Sequence, residues 1–522
     1  MRHSRGALVF LALTLIISTY YVGLIDAPGY TDAFYHYNAA VRLAGGQGLT
    51  EPYLWTYVGA PERLPETGVF PSHLYWMPFT SISAAAGIVL FGGGHAGAQT
   101  IMHFMFVGMV FIAYWLGDRL GGTARYAWLT GLLALFSGFF VRYWGVIDTF
   151  APFALVGSAC LILLGLAYRD RADRIRLPLV LVAGVCAGFG HLTRADGLLL
   201  LLVGMFVLLV QPGVWRIKGV RIALLVIGYL AVMGLWFARN QAEVGTFLPL
   251  GGTQAFWFRS YDDLFNYPPG AAAAAMFADG FGVFLASRWE AFTNNLGTFV
   301  AVEGLIVLAP LMLIGLWNRR REPFWLPFAL YAVGLHGAFT FIFPYPGYRG
   351  GLLHSAAALI PCWAFLGISG LDDVIAWVGK RRRWRIETAQ MVFSGALVAY
   401  AVGLSLSIAQ AGRVSAGEPS SLYRTLDTLI PADARVMIND PAMLYTFTGR
   451  GGVVVPNAAP DMIPLIAERY RVDYLVLERS GIPAPLQPAW DVPPTFLTEL
   501  TPESNAAPLD WRIFRIDHEA IP

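Results

Sequence analysis

Four polar clusters interrupt an otherwise apolar chain, and each holds residue types that can do chemistry. The first runs Gly29-Tyr30-Thr31-Asp32-Ala33-Phe34-Tyr35-His36-Tyr37. Asp32 and His36 are spaced i, i+4, so a helix would set both on one face. Thr31 would then cap that helix, with Asp32 in its first turn. A carboxylate so placed can take a proton as a general base. With His36 it could also begin a metal site, though two ligands do not make one. Its plain structural role is to sit at the positive end of a helix.

The second cluster is Arg142-Tyr143-Trp144-Gly145-Val146-Ile147-Asp148, in which Asp148 is the only acid between Arg125 and Arg169. Its structural role would be to pair with Arg142. The third, Gly190-His191-Leu192-Thr193-Arg194-Ala195-Asp196-Gly197, reads as a tight turn. An Arg194–Asp196 pair would hold that turn, and Arg194 could face a lipid phosphate. The fourth is Pro344-Tyr345-Pro346-Gly347-Tyr348-Arg349-Gly350-Gly351-Leu352-Leu353-His354. Arginine in a glycine-rich turn can bind a phosphate through paired N–H donors. Aromatics beside an arginine also serve simply as an interface anchor.

The elements that position these clusters are membrane helices. Hydrophobic residues make up 56% of the 522, and charged residues only 13%, against about 25% charged in soluble domains. The apolar residues fall in runs about as long as a hydrocarbon core is thick. Lys218 and Lys380 are the only lysines, and Cys160, Cys186 and Cys362 lie in apolar runs, so no disulfide framework is implied. The net charge of +2 points to no acidic partner, and no nucleic acid is expected.

About eleven spans are expected, over residues 7–25, 98–117, 126–146, 150–167, 178–193, 197–211, 221–238, 301–316, 324–342, 352–369 and 388–409. The first is a retained helix and not a signal peptide, since its apolar run is long and no A-x-A-like cleavage site follows. Short loops alternate in charge. Arg119 with Arg125, the group Arg169, Arg171, Arg174 and Arg176, then Arg216, Lys218 and Arg221, Arg319 to Arg321, and Lys380 to Arg385 all fall on one side. By the positive-inside rule that side is cytoplasmic, with the N-terminus inside and the tail outside. The stretch Phe79 to Leu90 is too short to span and reads as interfacial or re-entrant. The first outer loop is therefore long, and its many Tyr and Trp residues argue for order.

From Ala411 charges and prolines return, with strand-like runs at Arg435–Ile438, Gly452–Val455, Tyr474–Leu477 and Arg512–Ile516, and a helix at Met462–Tyr470. Two domains are expected, a membrane domain over 1–410 and a small extracytoplasmic α/β domain over 411–522.

Taken together, Asp32 in its Tyr-Thr-Asp-Ala-Phe-Tyr-His segment, the long first loop with Pro71 to Pro78, Asp148, and the turn Leu192 to Gly197 resemble the GT-C superfamily of membrane glycosyltransferases. The resemblance covers roughly residues 1–360 and carries no Trp-Trp-Asp-type oligosaccharyltransferase signature. It implies a polyprenyl-phosphate sugar donor and an acceptor that is a glycan, lipid or protein, at the outer face of a bacterial inner membrane. Asp32 would be the base for inverting attack, and Asp148 would position the acceptor or a divalent metal (Mg or Mn). Arg349 and Arg194 would neutralise the donor phosphate. Tyr35, His36 and His354 are candidates for acceptor or metal contacts, with Asp32, Asp148 and His36 as the metal set. A transporter is the competing class, because glycine-broken helices also occur there. Related halves and ionisable residues near mid-membrane, which transporters show, are not evident in the sequence.

Overall fold

Long apolar runs become long helices because every backbone N–H and C=O must be satisfied within the segment once water is removed. The computed structural model describes residues 2–59, 68–169, 173–249, 251–268, 280–415, 420–500 and 509–518. Arg171 lies outside them. Among the described residues, eight helices are long and apolar enough to cross a membrane: Arg5–Val22, His95–Gly121, Phe150–Arg169, Arg176–Thr193, Trp215–Val244, Pro323–Ile342, Pro344–Arg382 and Ile386–Ala411. Phe79–Phe91 and Ala195–Val210 are apolar but shorter. The protein is an α-helical polytopic membrane protein whose tail carries a small sheet.

The chain divides into two compact units. The helical unit comprises Met1–Ala27, Met77–Ala238 and Arg288–Ser415, and the second comprises Pro28–Trp76, Arg239–Ser287 and Ala416–Pro522.

In the helical unit, glycines let backbones approach closely, which is how apolar helices gain packing without a hydrophobic driving force. A Cβ on Gly315 would run into the Leu366 carbonyl, and one on Gly370 into that of Leu311. At the ends of helices the charges are paired. Arg125 forms a fork to Asp372 at 2.7 and 2.8 Å and also donates to Ser394, and Arg319 pairs with Asp373 at 3.2 Å.

Two expected spans are broken. In place of 126–146 the α-helix Ala124–Leu135 stops, and a 3-10 turn, Gly138–Tyr143, follows. Gly138 has φ 61°, and its N–H donates to Ser405 Oγ at 2.9 Å. Trp144 Nε1 donates to Ser137 Oγ at 3.0 Å, and its ring is wholly buried. These bonds replace the lost helical ones. In place of 301–316 the helix Phe281–Thr298 passes through a π-turn, Phe299–Glu303, and a new helix begins at Ala309–Arg319. Leu305 and Ile306 between them take positive φ, a strained choice for a β-branched residue. The break has an anchor: Glu303, with a fully buried side chain, accepts from Trp363 Nε1 at 2.8 Å and pairs with His336 Nε2 at 2.9 Å.

The second unit is built on a six-stranded sheet. Its strands are β2 (Tyr53–Leu54), β4 (Val436–Ile438), β5 (Gly452–Val454), β6 (Tyr474–Glu478), β7 (Leu497–Glu499) and β8 (Trp511–Ile516); β1 (Thr50–Glu51) pairs separately with β3 (Phe70–Pro71). The order is β2-β5-β4-β6-β8-β7, parallel from β2 to β6 and antiparallel beyond. The four strand-like runs of the tail and the helix Met462–Tyr470 form where the residue pattern places them. β2 comes from the first loop, with Tyr53 opposite Gly452 and Leu54 opposite Val453. Leu426, Val436, Ile438, Leu444, Val476 and Ile513, all fully buried, form the core on one sheet face.

Candidate active site

The residues singled out in the sequence are carried by both units. In the second unit Asp32, Tyr35 and His36 lie on the helix Thr31–Ala44. Its buried face carries Phe34, Tyr35, His36 and Asn38. Asn38 fastens it: Nδ2 donates to the Ala442 carbonyl at 2.8 Å, and Oδ1 accepts from Thr446 at 2.8 Å. The expected cap by Thr31 is not made. The N-cap is Tyr30, without a side-chain bond, and the Thr31 hydroxyl donates instead to Asp440 Oδ2 at 2.6 Å. Asp440 in turn caps the helix Pro441–Thr448, accepting from Met443 N at 2.9 Å.

Asp32 is partly buried in the first turn, whereas His36 is 0% exposed. The His36 ring lies 6.1 Å from that of His73 and 6.2 Å from that of Trp76. Among the described residues, no cluster of three metal-ligating side chains includes His36. The Tyr35 hydroxyl accepts from His73 N at 2.6 Å and bonds to the Glu51 carboxylate. The Trp76 ring is tilted against those of both Tyr35 and Trp55, with centroids at 4.5 and 3.9 Å.

Glu51 was not foreseen. It is buried, and Oε2 makes no hydrogen bond among the described residues. Burial pushes its pKa up to about 8, opposed by the Tyr35 bond and by the charges of Arg239 and Arg42. Burial, with His36 and Arg239 nearby, holds His73 well below the usual histidine range. The signal in the sequence was an acid, Glu51, set among Tyr53, Trp55 and Tyr57.

In the helical unit Asp148, Arg194 and His354 come together. Asp148 is 1% exposed; its Oδ1 accepts from Thr149 N at 2.5 Å, and Oδ2 lies 3.8 Å from His354 Nδ1. Arg142, its expected partner, lies with its guanidinium 5.2 Å from the Tyr143 ring centroid. His354 Nδ1 bonds to Thr149 Oγ1 at 2.8 Å, and its ring stacks on Phe150 at 3.9 Å. Arg194 spans the group. Nε donates to Asp196 Oδ1 at 3.0 Å and Ser355 Oγ at 2.7 Å, Nη1 to Thr149 Oγ1 at 3.3 Å, and Nη2 to the Gly351 carbonyl at 3.2 Å. Ser355 closes the loop by donating to Asp196. Thr149 and Ser355, each a hydroxyl next to a residue already singled out, were missed for want of any reason to place them inward.

Arg349 is exposed in the turn Gly347–Gly351, where Gly350 takes φ 134°, a value reserved for glycine. The Gly351 carbonyl in that turn is the one Arg194 holds. This arrangement can orient a carboxylate and an imidazole with one fixed cation beside them.

No protein-family model matches the sequence, and no curated protein matches it. Solved structures do match by fold. ArnT from Cupriavidus metallidurans, bound to undecaprenyl phosphate, is 15% identical with a TM-score of 0.58, covering 97% of each chain. AglB, the oligosaccharyltransferase of Archaeoglobus fulgidus in complex with an inhibitory peptide and a dolichol-phosphate, is 11% identical with a TM-score of 0.54, over 90% of this chain and 69% of that one. A further structure of the Archaeoglobus fulgidus enzyme, with Zn and sulfate, is 13% identical with a TM-score of 0.54, over 90% and 67%. At these identities the likeness concerns the path of the backbone, and on that path the chain has the GT-C fold.

Proposed function

We propose that this chain is an integral membrane glycosyltransferase that moves a sugar from a polyprenyl-phosphate-linked donor to an acceptor glycan, lipid or protein. The observation that carries this reading is the fold shared over 97% of both chains with ArnT, a protein solved with undecaprenyl phosphate bound. The arginine-rich loops face the cytoplasm and the chemistry takes place at the outer face of the inner membrane, in keeping with the charge asymmetry.

In the proposed reaction the acceptor O–H loses its proton to the Asp32 carboxylate while its oxygen attacks the anomeric carbon. The bond from that carbon to the phosphate oxygen breaks, its electron pair stays on the phosphate, and configuration inverts. Arg349 neutralises the polyprenyl phosphate that leaves. Stabilising charge as it develops is commonly the largest catalytic contribution. Arg194 has five N–H donors; Nη2 holds the Gly347–Gly351 turn at the Gly351 carbonyl, while Nε and Nη1 meet Ser355 and Thr149. The rest can meet the same phosphate.

A divalent cation would be held by Asp148 and His354 through one oxygen and one nitrogen; His354 Nδ1, 3.8 Å from Asp148 Oδ2, is bonded to Thr149 Oγ1, so an ion on that nitrogen would displace the Thr149 bond. Such an ion, when bound, supplies Lewis acidity at the phosphate. Tyr35 and His36, being buried, shape the helix that carries Asp32.

The deciding experiment offers purified protein a panel of polyprenyl-phosphate sugars with membrane extract and follows release of polyprenyl phosphate. Release that Asp32→Asn abolishes supports the reading and names the sugar. Failure of every donor with folded protein overturns it in favour of transport.

A further inference from the structure

A groove of about 630 Å³ opens in the helical unit between the helices Ala309–Arg319 and Leu326–Gly337. Its walls are apolar, with Leu313 and Ile314 on one side and Leu326 and Ala329 on the other, and Trp317 and Trp325 at one end. Trp325 is buried, its Nε1 donating to Glu322 at 3.3 Å, while Trp317 is 65% exposed. Arg320 is fixed at this end. Its guanidinium lies over the Trp317 ring at 4.1 Å, and Nη1 donates to the Trp317 carbonyl at 2.5 Å. Arg319 is occupied by Asp373, whereas Arg320 and Arg321 are exposed.

We propose that this groove is a binding site for one anionic phospholipid, an acyl chain lying along Leu313, Leu326 and Ala329 and the headgroup phosphate meeting Arg320 and Arg321. Three observations support it. The volume lies in the range of ligand pockets, yet the walls offer almost nothing polar, as hydrocarbon requires. The groove lies where two apolar helices meet at a basic turn, the depth at which a headgroup phosphate sits. The cation is held in place by its own tryptophan, so little side-chain freedom is lost on binding. The site is separate from the Arg194–His354 network. The span that starts at the groove, Pro323–Ile342, is 20 residues long and precedes the Gly347–Gly351 turn, so it reaches roughly 30 Å.

The test uses full-length protein in mild detergent, exchanged with phosphatidylglycerol or phosphatidylcholine, with retained lipid counted by native mass spectrometry. Wild type is expected to keep one phosphatidylglycerol and to prefer it over phosphatidylcholine. Ala329→Phe, which fills the groove, should lose that lipid. The exposed double variant Arg320→Gln/Arg321→Gln should keep the fold and lower the preference about tenfold. Equal retention by wild type and both variants would overturn the proposal. So would retention of both lipids alike, of polyprenyl phosphate in place of phospholipid, or a second copy of the chain covering the groove.

Discussion

Thr31 and Asp440 stand 409 residues apart in the chain and share a hydrogen bond of 2.6 Å. The bond joins the start of one helix to the cap of another, so Asp440 serves both at once. Burial raises its pKa, and the bonds from Thr31, Met443 N and Ala442 N oppose that rise. Asp440→Ala removes a cap and strands the Thr31 hydroxyl, and should cost about 2 kcal/mol or more. Thr31→Val should cost about 1 kcal/mol. Thermal unfolding of the two variants and the double variant checks this. Additive losses would show that the two side chains do not act together.

Glu51 predicts a pH signature. A carboxyl whose folded pKa is raised, here from 4.5 to about 8, takes up a proton on folding between those values. Its contribution to stability is therefore present below 4.5, declines as pH rises toward 8, and is constant above. Glu51→Gln should be more stable than wild type at pH 8 by on the order of a few kcal/mol, with the gap closing toward pH 5. His73 works in the opposite direction: kept neutral by burial, it favours the fold above its unfolded pKa of 6.5 and loses that contribution as pH falls. The comparison of variant with wild type isolates Glu51. Parallel melting profiles from pH 5 to 8.5 would refute the prediction.

Arg194→Lys keeps the charge and loses the fork. A lysine cannot reach Asp196, Ser355, Thr149 and the Gly351 carbonyl together. The Gly347–Gly351 turn should loosen, and polyprenyl phosphate release should fall about 10- to 100-fold with the melting temperature little changed. Unaltered turnover would remove Arg194 from the machinery.

His354→Ala should lower release by about 10- to 100-fold, and the loss should be relieved in part by raised divalent cation. A chelator should slow wild type, with Mg or Mn restoring it. Full activity in excess chelator would dismiss the cation and leave Asp148 and His354 as plain hydrogen-bonding groups.

The sequence pattern revealed the long helices and the tail strands because both are periodic and local: apolar runs for the first, short β-branched runs such as Val453-Val454-Val455 for the second. It also pointed to the Arg194–Asp196 turn, where two opposite charges flank one residue. It did not reveal β2. Tyr53 and Leu54 are only two residues long in a proline-bounded loop, and what makes them a strand is Gly452–Val453, some 400 positions away. The end of the helix at Leu135 was equally hidden, since Gly138 and Ser405 meet only in three dimensions. Glu303 lay in plain view inside an apolar run. Its partners, His336 and Trp363, come from two other helices.

The place of β2 at the edge of the sheet bears on how the protein is made. The first loop leaves the ribosome some 400 residues before β5, so the N–H and C=O groups of Tyr53 and Leu54 have no ladder to join until the tail strands are made. Once made, β5 is an open edge, the kind that recruits stray strands, until β2 joins it. Closing the sheet requires contacts of very high sequence separation, which are slow to form. A tail produced without the first loop would lack both β2 and the Thr31 and Asn38 bonds to the helix Pro441–Thr448. The second unit is therefore completed only when β2 of the first loop meets β5 of the tail.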